Sequence, residues 1–183
     1  MSRLTLLLQQ AKAGDDSARE KLFVVAYDEL RSLARAQLRD GGRNTLLDTT
    51  VLVHESFMRF VQAGQLHGEE EGQFYCYAAR VMRSVIVDFA RQRQAARRGG
   101  GAVHVSFDTQ LAENLHVTDE DVVRINDALE ELQKFDDRLV KVVEMRYFIG
   151  MTEARIAAVL GVTDRTVRRD WEKAKLLLAA SLR

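Results

Sequence analysis

Met151-Thr-Glu-Ala-Arg-Ile-Ala-Ala-Val-Leu-Gly-Val-Thr-Asp-Arg-Thr-Val-Arg-Arg-Asp-Trp171 reads as two short helices around a glycine turn. Thr152 is a good N-cap, and Glu153 follows in the first turn, where the helix dipole favours an acid. Ile156, Ala157 and Leu160 share one apolar face. Gly161 permits a left-handed residue at the helix end. Thr163 then caps a second helix, in which Val167, Trp171, Ala174 and Leu178 recur at helical spacing and face inward. Arg165, Arg168, Arg169 and Lys173 are left outside, with Asp164 and Thr166 near the start. A second helix with basic and small polar residues in its first turns is what reading a DNA major groove requires. The stretch is therefore read as a helix-turn-helix. The competing reading is a plain helical hairpin with a solvated basic face. The coincidence of a glycine turn, two caps and a basic outer face weighs against it.

The rest of the chain is read outward from there. The 183 residues hold no Pro, and the apolar runs are short, so an all-α fold is expected. No apolar stretch approaches the roughly 18 residues of a membrane span, and the N-terminal residues lack a small-residue cleavage site. One cysteine, Cys76, excludes an intrachain disulfide and points to the cytoplasm. Net charge is zero, but its distribution is uneven. Six arginines between Arg80 and Arg98 face the single acid Asp88, and five acids between Gly99 and Asp121 face no Lys or Arg. A neutral total can hide a basic, DNA-facing helix beside an acidic linker.

Apolar spacing predicts helices over Leu4 to Ala13 and Ser17 to Leu38, the second with a stripe of Leu22, Val25 or Ala26, Leu30, Leu33 and Leu38. A third starts near Asp48-Thr49 and carries Leu52, Val53, Ser56, Phe57, Phe60 and Val61. A fourth starts near Gln73, with Phe74, Tyr77, Ala78, Val81, Val85 and Phe89 inward. Gly99-Gly100-Gly101 ends this unit. Further helices follow from Asp119, marked by Val122, Ile125, Leu129 and Leu132, and then by Leu139, Val142, Val143 and Tyr147. The expectation is two small helical domains, 1–98 and 121–183, joined by a flexible acidic linker, 99–120.

Catalytic chemistry is hard to find. His54, His67, His104 and His116 lie in separate segments, none in a metal-ligand spacing with Cys76 or an acid. The triple glycine has no strand before it and no P-loop lysine, and no nucleophile-base pair stands out. No enzyme, cofactor or metal is expected.

Three stretches resemble the extracytoplasmic-function (ECF) group of bacterial RNA polymerase sigma factors, which keeps only sigma regions 2 and 4. Leu52-Val-His-Glu-Ser-Phe-Met-Arg-Phe60 is similar to the region 2.2 helix. Phe74 to Arg91 is similar to regions 2.3 and 2.4, with an aromatic pair, then Arg80, Arg83, Asp88 and an aromatic. Leu139 to Leu178 is similar to region 4. The resemblance implies two partners, core RNA polymerase and promoter DNA. Region 2 would hold the displaced strand of the minus-10 element through Tyr75, Tyr77, Arg80, Arg83, Ser84 and Arg91. Aromatic faces stack on unpaired bases, and arginines follow phosphates. Aromatics at helical spacing are more often core, and Phe74, Tyr77 and Phe89 are assigned mainly there. Region 4 would read the minus-35 element through Thr163, Arg165, Thr166, Arg168 and Arg169. Core polymerase would dock at Asp48, Thr49, Thr50 and Glu55.

The chain departs from the family at two places. The family's Pro at the start of region 4 is replaced by Gln133-Lys-Phe135. The acidic docking stretch aligns with Asp48-Thr49-Thr50-Val51, which keeps one acid of three. A phosphate on Thr50, or on Thr49, from a Ser/Thr kinase would restore the missing charge. The plainer reading is that Asp48 or Thr49 is only an N-cap. An anti-sigma partner is left open. The alternative to a sigma factor is a free-standing helix-turn-helix regulator with an N-terminal sensing or dimerisation domain, which would read paired half-sites.

Overall fold

The computed structural model of the chain describes residues 2–39, 49–62, 70–98 and 118–181. Their regular structure is helical throughout, and no strand occurs among the described residues. The linker residues 99–117 and most of the loop before the fourth helix lie outside them.

Helix α1, Arg3–Lys12, starts where the Ser2 hydroxyl accepts from the Thr5 amide at 3.2 Å. Gly14 turns the chain at φ 94°. Asp15 caps α2, Asp16–Arg39, by accepting from the Ala18 amide at 3.1 Å. Leu22, Ala26, Leu30 and Leu33 are buried along α2, and Leu4, Leu7 and Leu8 along the α1 helix that packs on it. Helix α3, Thr49–Gln62, buries Leu52, Val53, Ser56 and Phe60. Its Phe57 ring meets the edges of Phe23 and Tyr27 at 5.6 and 5.4 Å.

Helix α4, Glu71–Arg98, is the spine of the molecule. Ala78, Ala79, Val81, Met82, Val85, Ile86 and Val87 are all buried, a run no single face could hold. An apolar arc this broad must be covered from more than one direction, and only the side of Gln73, Arg80 and Arg91 is left exposed. Helices α1 and α3 pack on it, and so does the second half of the chain.

That half begins with α5, Asp119–Gln133, closed by a reciprocal capping box between Thr118 and Asp121. Asp136 caps α6, Asp137–Val143, which runs into a π-helical turn, Glu144–Phe148. The extra residue of a π turn re-aims side chains, and here Glu144, Met145 and Phe148 are all buried. Gly150, at φ 68°, leads into α7, Glu153–Leu160, and then α8, Asp164–Ser181.

The all-α expectation holds. Residues from both halves join one continuous core, from Leu4 to Ala174. The two halves that the sequence divides are thus packed against each other. Beside the inward stripe that the spacing predicts on α4, a second stripe of Tyr75, Ala79, Met82 and Ile86 is buried. Residues 118–120, assigned to the linker, form the capped start of α5.

Candidate nucleic-acid interface

The α7–turn–α8 pair is held rigidly. Thr152 caps α7 by accepting from the Arg155 amide at 3.3 Å. Gly161 takes φ 65°, the left-handed conformation that a Cβ disfavours. The Val162 amide closes the turn onto the Ala157 carbonyl at 3.0 Å. Thr163 then accepts from the Thr166 amide at 3.3 Å. Ile156, Ala157, Val167 and Ala174 are buried, as their spacing predicts. Asp170, also buried, accepts from Arg138 Nε at 2.7 Å. Trp171 lies under the Arg146 guanidinium, 4.8 Å from ring centroid to Cζ. Together these contacts fix which way α8 is turned.

Its outer face carries Arg165, Arg168, Arg169 and Lys173, all exposed. Arg165 forms no ion pair among the described residues. Arg168 donates through Nε and Nη2 to Glu153, at 3.2 and 3.1 Å. Glu153 also accepts from Arg146 Nη1. Arg146 first, and Arg168 with it, hold the Glu153 carboxyl below its usual range. Arg169 reaches Asp170 at 3.4 Å with most of its side chain in solvent.

The residues nominated on α4 do not stay together. Arg80 and Arg91 are exposed. Arg80 edges an open cleft beside Gln73, Cys76 and Lys141, and Arg91 stands 3.7 Å from Asp127. Tyr77 is half-buried, with its ring 5.3 Å from Phe60. Ser84 accepts from Arg59 Nη1 at 2.7 Å, and Arg59 Nη2 donates to Asp88 at 2.6 Å.

Two of these residues are covered in this conformation. Tyr75 is buried at 1 % exposure, with its hydroxyl donating to Glu29 at 3.0 Å. Burial drives its phenol pKa far above the ordinary value, so it stays neutral. Arg83 is 6 % exposed. Its Nε donates to Asn126 Oδ1 at 3.0 Å, Nη2 to the Asn126 carbonyl at 3.2 Å, and Nη1 to Glu144 at 2.8 Å. Desolvation pushes the Glu144 carboxyl up, against the pull of Arg83. Neither Tyr75 nor Arg83 is presented to a ligand in this conformation, because the second half of the chain covers that part of α4.

Glu55 is half-buried on α3. Thr49 and Thr50 open that helix, whose first turn holds no acid. Asp48 lies outside the described residues.

Sequence reading did not nominate Glu144, Asn126, Asp119 or Arg155. Glu144 left a signal, since it is the one acid in the run Leu139 to Phe148. A lone acid among core residues needs a buried cation. The others carry no such mark.

No described helix is long and apolar enough to cross a membrane. A family model described as ECF sigma factor matches residues 1–183, the whole chain. No curated protein matches it.

Proposed function

The chain belongs to the ECF sigma factor family, whose members direct RNA polymerase to promoters, and on that premise we propose how its residues divide the work. Helix α8 reads the minus-35 element as duplex through Thr163, Arg165, Thr166, Arg168 and Arg169. Helix α4 serves the minus-10 element, with Arg80 and Arg91 as its accessible cations. The start of α3, from Asp48 through Thr49 and Thr50 to Glu55, docks on core polymerase in the cytoplasm. The domains of this reading are 1–98 and 121–183.

The observation that carries it is the fixed orientation of α8. Val167 and Ala174 are buried, Asp170 is tied to Arg138, and Arg165, Arg168 and Arg169 are left outward. Arg165 at the helix start has no competing carboxylate among the described residues. Run-off transcription with core polymerase on a promoter library tests the reading. Promoter-specific product only in the presence of core polymerase is expected. Tight, specific duplex binding by the free chain, with no effect on polymerase, would overturn it and favour a free-standing regulator.

The acid-free first turn of α3 favours one refinement. A phosphate on Thr50, or on Thr49, adds about −1.5 to −2 charges at a helix N-terminus, where the dipole favours them. It would replace the family's missing acids. Core-polymerase affinity of unmodified, Thr50→Glu, Thr50→Ala and kinase-treated chains checks this. Strong binding by unmodified protein, unchanged by Thr49→Ala and Thr50→Ala, removes it.

A further inference from the structure

Four arginines of α4, Arg83, Arg91, Arg93 and Arg97, stand against carboxylates of the second half of the chain. Arg97 and Arg93 both reach the buried carboxylate of Asp119, at 3.3 and 2.6 Å. Arg91 lies 3.7 Å from Asp127. Arg83 takes Asn126 and Glu144, with Glu130 at 4.0 Å. As the α4 number falls from 97 to 83, the α5 number rises from 119 to 130. The two helices thus run antiparallel, acids against arginines. Arg83 to Arg97 span fourteen helical steps, roughly 21 Å at 1.5 Å per residue. Over that length, oxyanions meet guanidiniums at spaced points, as backbone phosphates would.

The contact continues toward the N-terminus of α4. Arg155 on α7 donates to Glu29 at 3.0 Å and to the Tyr75 hydroxyl, and its guanidinium lies 4.7 Å above the Tyr75 ring. At Gly72 an added Cβ would stand 3.0 Å from the Val159 carbonyl oxygen, so a side chain there would press α7 away from α4. From Gly72 to Arg97, then, α4 meets the second half of the chain.

We propose that Asp119, Asp127 and Glu144 act as an internal substitute for the phosphates of a nucleic acid, holding the free chain closed over α4. A displaced DNA strand and these carboxylates compete for the same guanidiniums. The strand gains α4 only when α5 and the π turn leave it. The proposal rests on α4 being the strand-holding helix. The two kinds of pair divide the labour. Arg91 and Arg97 are exposed and weakened by salt, whereas the buried Arg83–Glu144 pair is shielded from it. Ion pairs that satisfy each other in a closed state, and phosphates in an open one, suit an interface that must separate.

The test uses the full chain, small-angle scattering and a fluorescein-labelled single-stranded oligonucleotide read by anisotropy. Three proteins are compared with wild type. The first carries Asp119→Asn, Asp127→Asn and Glu144→Gln. The second carries Gly72→Leu, a wedge that changes no charge. The third carries Asp16→Asn, Glu20→Gln and Glu172→Gln, an equal charge change at exposed sites away from α4. Circular dichroism confirms that each keeps its helices. The first two should expand and bind the oligonucleotide about tenfold tighter or more, as expected if roughly a tenth of the wild type is open. The third should do neither to that degree. Wild-type dimensions and affinity in the helical triple variant and in Gly72→Leu would overturn the proposal. So would an equal affinity gain in the charge-matched control, or expansion without any gain. Run-off transcription with core polymerase on the same proteins decides separately whether the chain is promoter-directing.

Discussion

Helices α4 and α8 carry similar chemistry in sequence and put it to opposite use. Both are long and amphipathic, with arginines clustered beside an apolar stripe. On α8 the apolar residues occupy one side, so Arg165, Arg168 and Arg169 face solvent. On α4 buried residues cover a much broader arc and leave only the side of Gln73, Arg80 and Arg91 to solvent, so an arginine within that arc, Arg83, must find partners inside the protein. A guanidinium drawn into a core cannot shed its charge. It therefore takes carboxylates and carbonyls with it, as Arg83 takes Glu144 and Asn126. The comparison teaches that a basic residue marks a surface only where it falls outside the arc of the helix that its neighbours cover.

The largest test of this contrast is a pair of like substitutions. Arg83→Leu leaves Glu144 buried without its cation and should cost about 3–5 kcal/mol of unfolding free energy. Arg168→Leu breaks a surface pair and should cost about 0–1 kcal/mol. Urea denaturation of both variants measures the gap. Equal losses would mean that the Arg83 side of α4 is not covered as described.

A second pair sets apolar residues against each other. Ile86 is buried on α4, whereas Leu176 on α8 is 72 % exposed. Ile86→Ala should cost about 2–5 kcal/mol, because it leaves a cavity as well as losing apolar burial. Leu176→Ala should stay within about 0.5 kcal/mol of wild type. Thermal or urea midpoints check both. A small loss at Ile86 would place the second stripe of α4 at a surface.

How much of this was legible in the sequence follows the same line. The turn at Gly161, the Thr152 cap and the inward Val167 and Ala174 are local features, set by residues within a turn or two of each other. So were most helix boundaries. What was not legible is which partner covers α4, since that depends on residues some forty to eighty positions apart, as with Arg83–Asn126 and Tyr75–Arg155. The acids after Gly99 were visible as a charge run. Read along the chain they look like a solvated linker, but Asp119 is buried against Arg93. The stripe of Tyr75, Ala79, Met82 and Ile86 is the local sign in the sequence that α4 has a second neighbour.

A third test sharpens the α8 side alone. Arg165→Ala, Arg168→Ala and Arg169→Ala should each weaken duplex recognition. A residue making a bidentate guanine contact loses about 1–3 kcal/mol and relaxes specificity at one base. A residue gripping phosphate weakens all sequences alike and lowers the salt slope. Binding of the polymerase complex to promoter fragments across a salt series separates the two. If all three variants keep wild-type promoter occupancy, the outer face of α8 is only solvated.

The smallest effect concerns how Arg168 is presented. Glu153 accepts from Arg146 and from two nitrogens of Arg168, so one carboxylate ties the first turn of α7 to α8. Arg146 chiefly, and then Arg168, lower its folded pKa below the ordinary 4.5. A carboxyl lowered in the folded state binds fewer protons there than in the unfolded chain. Its contribution to stability is therefore complete above the ordinary value and fades as pH falls through the folded one. Glu153 is half-buried but its Arg168 partner is mostly in solvent, so Glu153→Gln should cost no more than about 1 kcal/mol at neutral pH. The difference from wild type should close on acidification, because a protonated Glu153 and a glutamine present the same neutral shape. Urea denaturation of the two proteins at about pH 7 and about pH 3 reads this. A gap that persists at the lower pH would mean that Glu153 acts through packing instead. Its charge would then have no part in orienting the α8 arginines, and the exposed side of the comparison would owe its geometry to Asp170 and Trp171 alone.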